Sequence, residues 1–218
     1  MNIHSLDAEL WWLANPDEIR APQSLPFSEI MKRIQDVFGF VRVPVTIPPG
    51  NDGYKFEQGS LVAGVAQVVV RELVVYNAGV HISVAGATDN ADIVFQKIAE
   101  VFRGMGVREP TTSPVKFYRS HIVCDFGKSI DALITGFERI AKIIQGNLDE
   151  PFRVSAAGSV FMTDPTKLPA TIASYNPSLF TINRRTDVSF ERNRYLCFAN
   201  MRTANHLTVL EQIEKAIR

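Results

Sequence analysis

Residues 66–86 read AQVVVRELVVYNAGVHISVAG: a Val-rich run, a break at Asn77-Ala78-Gly79, then a second apolar run. β-Branched residues suit a pleated, half-buried surface, and Asn and Gly permit the positive φ of a tight turn, so a hairpin is expected here. Thr88 follows as the expected N-cap of a helix from Asp89 to Met105, with Asp89 and Asp92 in its first turn, where carboxylates suit the positive end of a helix dipole. Hairpin followed by Thr-started helix is one ββα unit. A second such unit is expected at 179–218, where Thr203 precedes Leu207, Leu210, Ile213 and Ile217 at helical spacing. The two threonines lie 115 residues apart, which points to a weak internal ββα duplication.

Working outward, Pro26 to Phe38 carries Ile30, Ile34, Val37 and Phe38 on one stripe and stops at Gly39, with Ser24 or Pro26 at its start. Ser129 to Gln145 places Ile130, Leu133, Ile134, Phe137, Ile140 and Ile144 at helical spacing before Gly146. A short helix over Leu6 to Leu13 is expected too, with Trp11 and Trp12 on different faces and one of them offered to a partner. Strands are expected at 41–47, 54–56, 66–76, 80–84, 115–126, 152–162, 179–186 and 195–198. Strands arriving in groups favour antiparallel meanders over a strictly alternating parallel sheet, so the fold class is α+β, mainly antiparallel, with about four helices packed on the strands. One α+β domain over 1–218 is expected, with a two-lobed division near 110–114.

The 218 residues are 46% hydrophobic and 21% charged, with 23 basic and 23 acidic side chains. Such a chain can bury a core, which excludes a disordered protein, and it has no apolar run of the ~20 residues that a spanning helix needs. Neutrality gives no global field toward nucleic acid or an anionic membrane. The total hides an asymmetry: residues 1–109 hold 9 basic and 13 acidic residues, net −4, and 110–218 hold 14 and 10, net +4. Opposite halves suit docking on one another or head-to-tail association of copies. The opening MNIHSLDAELWWLANPDE has no basic flank and no continuous apolar run, so no signal peptide and a cytoplasmic location are expected.

Motifs that carry chemistry are weak. Gly127-Lys128-Ser129 between a strand and a helix imitates the end of a phosphate loop, but the position needing the first glycine is Ile122. His121 and Cys124 sit at an odd offset on a strand and point to opposite faces. Cys124 and Cys197, in runs of Ile, Val and Phe, are expected to be buried free thiols. His4, His81, His121 and His206 have no ligand spacing, so no metal and no cofactor are expected. Asp125, Asp164 and Asp187 sit near strand ends without any spacing that marks an acid–base pair.

The richest local feature is Arg184, Arg185, Arg192, Arg194 and Arg202, five arginines within 19 residues beside Tyr195 and Phe198. On one hairpin they would form an anion or nucleic-acid patch, since guanidinium binds phosphate in a fork and stacks on aromatics. The leading expectation is a non-catalytic interaction protein, a homo-oligomer or a subunit of a bacterial or phage assembly. Phosphate or nucleic-acid binding through the five arginines is the alternative, and an enzyme with a site near the 164–177 loop is a third reading. The expected partner is a protein or a second copy, with nucleic acid second and no membrane.

Overall fold

The computed structural model describes residues 1–18, 26–45, 53–64, 66–130, 136–147, 156–162 and 179–217. The fold is α+β, with eight strands, antiparallel in their ladders, and four α-helices among the described residues. In chain order these are β1 (Asn2–Leu13), α1 (Phe27–Phe38), β2 (Tyr54–Ala63), β3 (Ala66–Tyr76), β4 (Gly79–Ala85) and α2 (Thr88–Gly104). The remainder are β5 (Val115–Asp125), α3 (Phe137–Gln145), β6 (Gly158–Met162), β7 (Leu179–Arg184), β8 (Arg194–Ala199) and α4 (Thr203–Ile217). The second six elements repeat the first six. The duplication seen in the sequence as ββα is therefore βαβββα in the structure, with α2 and α4 both beginning at a buried threonine.

Two compact units carry these elements: Asp7–Ser120, and Met1–Leu6 together with His121–Arg218. The unit boundaries cut β1 and β5, so each of those strands gives residues to both.

In the Asp7–Ser120 unit the strand order is β2-β3-β4-β1-β5. β1 runs against β4 from Asp7↔Ala85 to Leu13↔Gly79. Ala8 and Leu10 on β1, Val80, Ile82 and Val84 on β4 and Leu73 on β3 point to one face, where Ile34 and Phe38 of α1 and Val94 and Ile98 of α2 cover them. Gly39 follows α1 with φ +58, and its N–H returns to the Gln35 carbonyl to end the helix. The outer edge of β2 is bridged at its middle: Val41 and Arg42 donate to the Gln58 and Glu57 carbonyls, at 3.2 Å each.

In the other unit the order is β1-β5-β8-β7-β6. Ile122 and Cys124 of β5, Tyr195 and Cys197 of β8 and Ile182 of β7 pack with Leu210 and Ile217 of α4. The β7–β8 connection is nine residues, with a 3-10 turn at Phe190–Arg192, where β3 and β4 are joined by two.

Several expectations are corrected. Residues 6–13 are strand, not helix: Ala8 and Leu10 are fully buried while Glu9 and Trp11 face the other way, a period of two. Residues 41–45 are irregular apart from one bridge at Arg42↔Glu57, and 46–47 lie outside the described residues. Thr88 is the first helical residue of α2, and Ala87 holds the cap position. The expected helix from Ser129 is described as α-helix from Phe137, with 131–135 outside the described residues. Ser24 and the 164–177 loop also lie outside them. Among the described residues no helix is long and apolar enough to cross a membrane.

Candidate interaction surfaces

The five arginines of the 184–202 stretch go to different places. Arg184 is buried at 7% exposure; its Nη2 donates to Ser129 Oγ at 2.6 Å and its Nη1 to the Phe190 carbonyl at 3.1 Å. The guanidinium also lies over the Phe190 and Tyr195 rings, 5.1 and 5.0 Å from their centroids. Arg185 grips Asp187 in a fork of 2.8 and 2.6 Å. Arg194 grips Asp125 at 2.6 and 3.0 Å, with His4 Nε2 at 2.8 Å from the same carboxylate. The Arg194 guanidinium beside Asp125, helped by His4, brings its carboxyl down to about 2. Arg192 and Arg202 are exposed. Arg184, Arg185 and Arg194 are thus engaged by the fold's own hydroxyl, carbonyl and carboxylate oxygens.

Gly127-Lys128-Ser129 is built into the same unit. The Gly127 N–H donates to Glu214 Oε1 at 3.1 Å, and Ser129 Oγ accepts from Arg184. Cys124 and Cys197 are free and buried, with their sulfurs 3.9 Å apart. The neighbouring Cys124 thiol and burial push the Cys197 thiol up, away from the thiolate a nucleophile requires. His121, on the opposite face of β5 from Cys124, packs edge-on against Phe198 at 4.8 Å.

Strand alternation separates the two tryptophans. Trp12 joins the core under α2, its ring 5.6 Å from that of Phe95. Trp11 faces the other side, stacked on His81 at 4.0 Å and on Phe117 at 5.2 Å, with the Arg119 guanidinium 4.4 Å from its ring. Glu9 and Glu72 flank His81, at 3.6 and 3.4 Å from its two ring nitrogens. Trp11 is therefore half-buried within a network of its own unit's side chains.

A feature absent from the sequence reading is the place of β6, GSVFM, at the end of the strand order among the described residues. The strand pairs with β7 from Gly158↔Asn183 to Met162↔Leu179. Val160 is 59% exposed and Phe161 53%. The strand contains neither charge nor proline, the devices that ordinarily protect a sheet edge from pairing. Nearby in the chain, α3 exposes Ile140, Ile143 and Ile144. The sequence did mark 152–162 as strand. Its position at the end of the order depended on pairings that a local pattern does not encode.

No family model matches the chain, and no curated protein matches it. Among solved structures, the chain is similar to one titled "Methanococcus jannaschii TBP", with 15% identity, covering 99% of this chain and 97% of that one, at a TM-score of 0.43. A likeness that distant carries no argument about function.

Proposed function

We propose that the protein works by association, and that β6 is the edge through which a second copy of the chain pairs. The observation that carries this is the contrast between the two outer strands. Val41 and Arg42 bond to β2 at Gln58 and Glu57, whereas among the described residues nothing pairs with the outer side of β6, which carries two half-exposed apolar side chains, Val160 and Phe161, on its two faces. An antiparallel pair of β6 strands related by a two-fold axis is isologous, each copy offering the same five residues, so no different partner is required.

Magnitudes set the expected strength. Val160 and Phe161 are already half covered, so each contributes on the order of 1 kcal/mol on burial. Each new ladder hydrogen bond adds about 0.5–1.5 kcal/mol net. Association costs roughly 4–15 kcal/mol in lost freedom. The balance favours a weak dimer, populated at tens of micromolar rather than nanomolar concentration.

Amide hydrogen exchange tests the geometry. At high protein concentration the outward amides of residues 158–162 are expected to be protected, and dilution should release them while β3 and β4 amides stay unchanged. Val160→Lys should remove the concentration dependence. Exchange in β6 that is fast at every concentration sinks the proposal.

A further inference from the structure

The Asp7–Ser120 unit contains a cavity of about 1030 Å³. It opens between α1, α2, the β3–β4 turn and the chain that follows α2. Its wall is rich in aromatic rings: Trp12, Tyr54, Tyr76, Phe95 and Phe102. At ~30 Å³ per water molecule, the space is that of roughly thirty waters. Sites for organic ligands are typically about 300–1,000 Å³, mostly apolar, with a few polar groups that fix orientation. Water against these rings is poorly satisfied, so an apolar occupant would gain by displacing it.

Charge at the lining narrows the ligand. Glu100 is paired with Lys97 at 2.8 Å, and Glu109 with Arg103 at 2.7 Å. Arg108, also on the lining, makes no ion pair among the described residues. Among the described residues, the charge of the lining left outside an ion pair is therefore the Arg108 guanidinium, beside an apolar space.

We infer that this cavity binds an amphipathic monoanion, a carboxylate carrying a hydrocarbon body. The body lies among the aromatic rings and the carboxylate meets Arg108. A guanidinium–carboxylate contact at the mouth is partly solvated, so it sets head-group preference more than total affinity. This inference concerns the other unit from the one that carries β6 and does not depend on the association reading.

The test uses the full chain with decanoate and decanol as probes, measured by calorimetry. Trp11→Phe leaves Trp12, on the cavity wall, as the single tryptophan reporter. Decanoate is expected to bind one per chain and to change Trp12 emission. Ala99→Trp fills the cavity from α2 and should weaken both probes at least ~10-fold, an amount well resolved by titration. Gln96→Trp, on an exposed position of the same helix, repeats the experiment should Ala99→Trp fail to fold. Arg108→Ala should weaken decanoate ~3–10-fold and leave decanol unchanged, as for a partly exposed charge contact. Absence of heat and of any emission change at about 1 mM decanoate overturns the inference. So does wild-type affinity in both filled variants, and equal loss of the two probes in Arg108→Ala removes the anionic head from it.

Discussion

Asp125 and Arg194 face each other across the ends of β5 and β8 in a two-point contact, Oδ1 to Nε at 2.6 Å and Oδ2 to Nη2 at 3.0 Å. The Arg194 contact, and after it His4, holds the Asp125 carboxyl at about 2, below its ordinary 3.8. A carboxylate with a depressed folded pKa adds stability above its unfolded pKa, and that stability is lost as pH falls through the folded value. Asp125→Asn should therefore lower the melting temperature at pH 7 by about 2–4 °C. The gap between wild type and variant should stay level down to about pH 5 and close as pH approaches 2. A gap that is unchanged at pH 2 contradicts the assignment, and thermal melts across that range decide it.

Arg184 reads in the sequence as a ligand for anions, but the fold buries it against Ser129, the Phe190 carbonyl and two aromatic rings. Removing the guanidinium strands Ser129 Oγ and that carbonyl without their donor. Arg184→Ala should destabilise the protein by about 2–4 kcal/mol in urea unfolding, with Arg184→Lys in between. Arg192→Ala, at an exposed position, should fall within about 0.5 kcal/mol of wild type. If Arg184→Ala unfolds like wild type, its buried contacts contribute little to stability and the assignment fails.

The hairpin at 66–85 and the helix after it were legible because the signals are local: β-branched runs, a turn dipeptide and a helical stripe. Residues 6–13 were misread because Leu6, Leu10 and Leu13 also fit a helical spacing, and the alternation of Ala8, Leu10 and Trp12 wins only once β4 lies alongside. The five arginines go to different places for a similar reason. Adjacent arginines on a strand alternate faces, so Arg184 goes into the core while Arg185 turns out to Asp187. Strand order, and with it the β6 edge, depends on pairing between distant segments and was not legible at all.

Gly79 opens β4 with φ +149, and a Cβ built there would stand 1.9 Å from the Trp12 carbonyl oxygen. The oxygen belongs to the β1 backbone and cannot move without breaking the Leu13↔Gly79 end of the ladder. Gly79→Ala should cost about 3 kcal/mol or more. Gly64, with φ +62 but no atom within 4 Å of its Cβ position, isolates the dihedral cost, and Gly64→Ala should cost only about 1 kcal/mol. Chemical denaturation of both variants checks the pair; equal losses would show that steric contact at Trp12 is not what requires the glycine.

Sedimentation velocity of the wild-type chain from about 2 to 100 µM tests the association reading most directly. Pairing through β6 predicts a 24.3 kDa species at the dilute end and growth of a species of twice that mass with concentration, absent in Val160→Lys. A single 24.3 kDa boundary at every concentration, the same for wild type and Val160→Lys, would contradict it.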